Sequence, residues 1–375
     1  MNTLAEQVDV VVGVDTHKDT HTAALVSATG AELLTVEVAT TAKGYAQIVQ
    51  LAAAYPRERR AWAIEGVSSY GAGLCRVLRR LGERIIEIDH PSRPARRNGS
   101  KTDALDAVRA AREALCRPHL GEPRRGDDRE ALRVLNATRE GAVHACTQAT
   151  NAVHALVVTA PESIRDRLRD LSTTMLLRRC ASLRVMGDWP VEERATVTAL
   201  RCAARRAVAL GTEADVLERA IAKIIDDVAP ELIAEHGVGP ITAAVVFCAW
   251  SHPGRHRSEA AFASLAGVAP IPASSGQTVR FRLNRRGDRQ LNRALHTIVT
   301  TRLRADPDTL AYVAKRTTDG KTRPEIRRCL KRYVARDLYR ILERAAVVSA
   351  HTDGLMPSCL DHFNDLAGTE ATTRA

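Results

Sequence analysis

A chain of 375 residues, long enough for two or three domains, carries 55 Lys and Arg against 44 Asp and Glu, a formal net charge of +11 that points to a polyanionic partner. Aromatic residues are only 3% of the chain, which argues against a base-reading platform built from several rings and leaves contact through backbone phosphates. The eight cysteines are scattered without a C-x-x-C pair, and neither a signal peptide nor an uncharged apolar run of spanning length is visible. The expectation is a soluble, cytoplasmic protein with no membrane contact, nucleoid-associated when it holds DNA.

The first hundred residues alternate short strands and helices. A buried strand over "VDVVVGVD" is followed by "HTAALVSA" and "ELLTVEVA" as a meander, with "TGAE" as the turn. Then come a helix over "AKGYAQIVQLAAAY", a strand over "RAWAIEG", a helix over "YGAGLCRVLRRLG", a strand over "RIIEIDH" and a helix that carries Asp103 and Asp106. The order βββαβαβα is that of the ribonuclease-H-like fold.

From about residue 128 the pattern becomes helical. Two segments of about thirty residues, "DDREALRVLNATREGAVHACTQATNAVHALVV" and "TALRCAARRAVALGTEADVLERAIAKIIDDV", keep apolar residues at helical spacing, which suits an antiparallel hairpin, a coiled coil or a plain bundle. Pro161 and Pro190 punctuate the irregular helical stretch between them. Next, "LIAEHGVGPITAAVVFCAW" has the pattern of a helix-hairpin-helix, in which Gly237 and Gly239 would turn amides toward a phosphate. A Pro/Ser/Gly loop then leads into Arg280, Arg282, Arg285, Arg286, Arg289 and Arg293, and a basic amphipathic helix and a loosely held tail complete the chain.

Several acids stand where chemistry could use them. Asp15 ends the first apolar strand and Glu65 ends another, while Asp103 and Asp106, three apart, share one helix face. Four such carboxylates can bridge two Mg²⁺ or Mn²⁺ ions. Plainer roles fit as well. Ser100 and Asp103 match an S/T-x-x-D helix start, Asp106 can pair with Arg109, and an acid after a strand can simply open a loop. His17 and His21 bracket Asp15, but their spacing spans a strand exit and a strand entry, which argues against zinc; His17 and Lys18 suit phosphate or solvent. The basic loop with Arg96, Arg97 and Lys101 can hold a nucleic-acid backbone that the acids would repel. Ser275, with Ser274 beside it, reads as a turn or, ahead of the arginines, as a nucleophile.

Taken together, "VGVDTHKDTHTAALV", "AIEGVSSYGAGL", "GSKTDALDAVRAARE", "HGVGPITAAVV" and "FASLAGVAPIPASSGQTVRFRLNRRGDRQLNRAL" resemble the motifs of the insertion-sequence DEDD transposases of the IS-one-ten and IS-one-sixteen type, with their Piv/MooV invertase relatives. The resemblance covers roughly residues 9–160 and 231–315. It implies a RuvC-like catalytic domain over 1–120 with Asp15, Glu65, Asp103 and Asp106 as the acidic tetrad. It further implies a helical coiled-coil or dimerisation arm over 121–230, a mainly helical C-terminal transposase domain over 231–345 with Ser275 as nucleophile, and a tail over 346–375. Ser274 is the weaker match for the nucleophile. Family members recombine donor and target DNA, guided by a non-coding bridge RNA, as dimers that form tetramers in the synaptic complex, with the acidic site of one subunit meeting the serine domain of another. The competing reading is a RuvC-like structure-specific nuclease that uses water and not the serine. An actin-like or sugar-kinase-type ATPase would need a second phosphate loop that the sequence lacks, and a catalytically dead DNA-binding protein would not need intact acids.

Overall fold

Residues Val10–Thr16 run apolar as far as Val14 on both parities, the pattern of a strand covered on two faces. In the computed structural model, which describes residues 3–88, 102–274 and 281–353, this segment is the central strand β1 and all seven of its residues are buried. A short helix α1 (Leu4–Gln7) precedes it, and β2 (Thr20–Ser27) and β3 (Glu32–Ala39) follow as an antiparallel meander. After helix α2 (Ala42–Leu51), β4 (Arg60–Glu65) pairs in parallel with the other edge of β1. After α3 (Ala72–Arg80), β5 (Ile85–Ile88) adds in parallel to β4. The sheet order is β3-β2-β1-β4-β5, and the unit closes with α4 (Asp103–Cys116). This mixed sheet is compatible with a ribonuclease-H-like domain.

Because side chains alternate along a strand, β1 serves two cores. Val10, Val12 and Val14 pack with Trp62 and Ile64, with Ile48 of α2 and with Leu74 and Leu78 of α3. Val11 packs with Ala24, Ala61, Ala63 and Ile86 beneath Ala107, Val108 and Ala111 of α4. The helix start differs from the sequence reading: Thr102, not Ser100, is the N-cap, accepting a hydrogen bond from the Leu105 amide at 3.3 Å. Ser100 itself lies outside the described residues. Asp103 and Asp106 therefore both fall in the first turn, where the helix dipole favours negative charge.

One buried acid escaped the sequence reading. Glu83, its side chain 1% exposed, accepts hydrogen bonds from both nitrogens of the Arg60 fork and from Trp62 Nε1 at 2.8 Å. Burial pushes its carboxyl up, but the bonds from Arg60 and Trp62 together hold it below its ordinary value of 4.5. Since the folded value is the lower one, this stabilisation is complete above pH 4.5 and fades as pH falls through the folded pKa. Glu83→Gln strands the Arg60 charge, and breaking such a buried pair costs about 3–5 kcal/mol. In urea unfolding the gap between parent and variant should be widest at neutral pH and shrink below pH 4.5.

The chain divides into two compact units, Met1–Arg124 and Arg125–Ala375. The second is dominated by α5 (Asp127–Thr159) and α8 (Val191–Val228). They run antiparallel: Arg139 pairs with Glu218, and the Cys146 thiol donates to the Ala207 carbonyl. Farther along, Val153 and Val157 pack with Val197, Leu200 and Ala204. The buried residues Val197, Leu200, Ala204, Ala207, Ala214, Ile221 and Ile225 of α8 step by three, four or seven, a seam that recurs on one side of the helix. Two short helices, α6 (Glu162–Arg165) and α7 (Thr173–Ala181), cover the Val153 end; Pro161 and Pro190 immediately precede α6 and α8.

At the other end of the pair, Leu132, Ile221 and Ile225 join a core shared by α9 (Pro230–Ile233), α10 (Pro240–Trp250), α11 (Glu259–Leu265), α12 (Arg289–Ala305) and α14 (Arg323–Asp353). A two-stranded ribbon of β6 (Ile271–Pro272) and β7 (Phe281–Arg282), and α13 (Pro307–Thr318), complete the unit. Among the described residues no helix is long and apolar enough to cross a membrane.

Candidate active site

Register sets the backbones of the two strand acids side by side. Val14 pairs with Ile64 across the parallel β1/β4 ladder, so the next residues, Asp15, last but one in β1, and Glu65, last in β4, stand at one level and on one face of the sheet. The Thr16 hydroxyl donates to the Glu65 carbonyl at 2.9 Å, tying the two ends. That face is the one covered by α4, and a glycine sets how closely. A Cβ at Gly13 would lie 2.0 Å from the Ala107 carbonyl oxygen and 2.8 Å from the Ala111 nitrogen, so only glycine lets the helix backbone rest on the strand. Asp15 is two residues beyond Gly13 on the same side, and Asp103 is one helical turn before Ala107, so this contact brings the carboxylates to one place.

At that place His17 Nε2 is 3.2 Å from Asp15 Oδ2 and 3.5 Å from Asp103 Oδ2. Ligand atoms of Asp15, His17 and Asp103 all lie within 4.8 Å of one another. Burial raises the Asp15 carboxyl above its ordinary value; the His17 ring works against that, and the negative charges of Asp103 and Asp106 add to it. Like charges gathered around a buried carboxylate are what a cation would relieve, so the donor set fits a divalent metal. Asp106 accepts a hydrogen bond from Arg109 at 2.8 Å, the pairing its spacing suggested. His21 takes no part. It is fully buried, its ring stacks on Tyr45 at 5.8 Å, Nδ1 donates to the Thr20 carbonyl, and burial lowers its pKa.

In the second unit the glycines of "HGVGP" have different surroundings. Gly237 adopts φ +80°, and a Cβ there would meet the Ile298 carbonyl of α12 at 3.1 Å, so its backbone conformation and packing both favour glycine. Gly239 faces open space, but its amide donates to the Thr242 hydroxyl at 3.0 Å and is engaged within the chain. Arg282, Arg285, Arg286 and Arg289 are exposed and have no carboxylate partner among the described residues, whereas Arg293 pairs with Glu140. Ser274 is exposed. Ser275, Arg280, Arg96, Arg97 and Lys101 lie outside the described residues.

Two residues that shape the acidic site were given no such role by the sequence: Gly13, a lone glycine inside an apolar strand, and His17, two residues past a strand-end acid. The glycine was the available signal, since an isolated glycine in a strand often marks a close backbone approach.

Residues 12–160 match a family of DEDD transposases of the IS110 type, described as transposase, and residues 231–314 match the family described as transposase IS116/IS110/IS902. The chain is also similar to an uncharacterized 42 kDa protein of the insertion element IS900 from Mycobacterium paratuberculosis. The two are 27% identical over 393 residues, covering 90% of this chain and 96% of that protein.

Proposed function

The chain belongs to the DEDD transposases of the IS116/IS110/IS902 family, and from that premise we propose that it is an insertion-sequence recombinase that cleaves and exchanges DNA strands with an acidic tetrad and a serine nucleophile. The observation that carries this reading is the convergence of Asp15 and Asp103, with Glu65 in register beside Asp15 and Asp106 close enough to raise its pKa. Those four carboxylates would hold Mg²⁺ or Mn²⁺, which supplies Lewis-acid stabilisation of charge on a reacting phosphodiester.

In this reading the Ser275 hydroxyl attacks a DNA phosphodiester. An Oγ–phosphorus bond forms, the bond to one deoxyribose oxygen breaks, and the released DNA hydroxyl takes up a proton while the serine loses one. The exposed Arg282, Arg285, Arg286 and Arg289, with Arg280 beside them, hold the phosphate and offset its charge. The "HGVGP" hairpin, through the turn at Gly237, and the basic loop with Arg96, Arg97 and Lys101 grip backbone elsewhere, while the Gly239 amide stays with Thr242. Pairing by a bridge RNA supplies sequence choice, and the chain's positive charge serves that RNA as well as donor and target DNA. The antiparallel pair α5/α8 acts as a coiled-coil arm that joins copies into dimers and, at synapsis, a tetramer. A plasmid carrying the element's ends, incubated with protein and flanking RNA, should yield recombinants and a DNA-linked protein band. Ser275→Ala should lose both, and Ser274→Ala should keep both. Full recombination by Ser275→Ala would sink the serine chemistry, and cleavage without any protein-linked band would favour hydrolysis by a RuvC-like nuclease.

A further inference from the structure

We propose that His17 Nε2 is a metal ligand, completing with Asp15 and Asp103 a mixed nitrogen–oxygen site that prefers Mn²⁺ to Mg²⁺. The inference rests on the divalent-metal reading above and adds to it a fifth residue and a choice of ion.

The geometry is the first support. Nε2 stands 3.2 Å from Asp15 Oδ2 and 3.5 Å from Asp103 Oδ2. In an octahedral complex with bonds of about 2.1 Å, neighbouring ligand atoms sit about 3 Å apart, so the imidazole nitrogen already stands near that spacing from each carboxylate, and the ligand atoms of all three residues lie within 4.8 Å of one another. The imidazole is placed by backbone on both sides. Thr16, before it, is tied to the Glu65 carbonyl, and the His17 amide donates to the Thr20 carbonyl at 3.0 Å. Its side chain is 47% exposed, so an ion can reach it from solvent while Asp15 remains shielded.

Donor chemistry decides the ion. Mg²⁺ takes oxygen ligands and dehydrates reluctantly, whereas an imidazole nitrogen suits ions farther along the first-row series and is accepted by Mn²⁺. Carboxylates alone would leave the two ions undistinguished. One nitrogen in the set breaks that tie. The spacing that argued against zinc concerned His17 together with His21, and His21 is buried against Tyr45. A single imidazole among carboxylates is a different site.

The competing account of the same distances is an imidazolium ion pair with two carboxylates and no role toward metal. Mn²⁺ binding to the metal-free full chain, followed by electron paramagnetic resonance with Mg²⁺ as competitor, separates the two. Expected are ¹⁴N hyperfine coupling on bound Mn²⁺ in the parent and its loss in His17→Ala. The same variant should show a fall in Mn²⁺ affinity of roughly tenfold or more, in line with the 10–100-fold that even a ligand's outer partners contribute. Mg²⁺ affinity should change much less. Bound Mn²⁺ without nitrogen coupling, or an unchanged Mn²⁺-to-Mg²⁺ ratio in His17→Ala, overturns the proposal and leaves the carboxylate site standing. Binding that survives in Asp15→Asn, or no binding by the parent, overturns the metal site as a whole.

Discussion

Asp15→Asn is expected to abolish strand transfer while leaving the metal-free chain folded and more stable than its parent. The two effects share one cause. Asp15 sits at the buried end of β1, where burial and then the charges of Asp103 and Asp106 raise its carboxyl. A carboxyl whose folded pKa is raised destabilises the fold once it ionises, so the penalty is present above the folded pKa and disappears as pH falls below the unfolded value of 3.8. Asparagine keeps the shape and removes the charge. The gain should be of the size usual for one stabilising substitution, about 0.5–2 kcal/mol, and should shrink as pH falls into the carboxylate range. The loss of function should be far larger. Metal-assisted charge stabilisation is worth several kcal/mol, or roughly a thousandfold in rate at about 1.4 kcal/mol per factor of ten. Thermal unfolding in chelator at pH 7 and pH 4, beside plasmid recombination, reads both halves. An Asp15→Asn protein that recombines normally, or that melts below the parent at pH 7, would contradict the assignment.

What the sequence disclosed followed how local each signal was. Asp15 and Glu65 were visible as strand-end acids because an apolar run stops directly at each one, and the Asp106–Arg109 pair was visible because three residues on a helix share a face. The two long helices showed themselves by length and by apolar spacing. The rest depended on approach between distant segments. Glu83 reads as an ordinary surface charge in "LGERIIEIDH", since Arg60 and Trp62, which hold it, lie more than twenty residues upstream. Gly239 looked like a phosphate donor, but a threonine three residues later, placed to take its amide, was the better clue. The sequence pattern pointed to Ser100 as the helix start, but the hydroxyl that caps α4 is that of Thr102, directly before Asp103. His17 faces a second carboxylate, that of Asp103, because α4 crosses β1 at Gly13.

That crossing yields the other large expected effect: Gly13→Ala should both destabilise the chain and disable the site. The added methyl would lie 2.0 Å from the Ala107 carbonyl oxygen, against 3.4 Å or more for an ordinary contact, so α4 must retreat by more than an ångström. Neither atom it meets belongs to a side chain that could turn aside. Overpacking a core typically costs 1–3 kcal/mol, and backbone obstructing backbone puts this case at about 3 kcal/mol or beyond. The lower chain entropy of alanine in the unfolded state returns only about 0.4–1 kcal/mol. The retreating helix carries Asp103 and Asp106 away from Asp15, and a displacement of about 1 Å at a reacting centre can cost on the order of a hundredfold in rate. Gly141→Ala is the matched control. It lies within α5, where a Cβ meets nothing within 4 Å, and the same exchange there should stabilise by about 0.5–1 kcal/mol and leave Mn²⁺ affinity unchanged. Urea midpoints and Mn²⁺ affinity for the two variants decide the matter. If Gly13→Ala matched the parent in both, α4 would not be held against β1 at this glycine, and the convergence of Asp15 with Asp103 would need another cause.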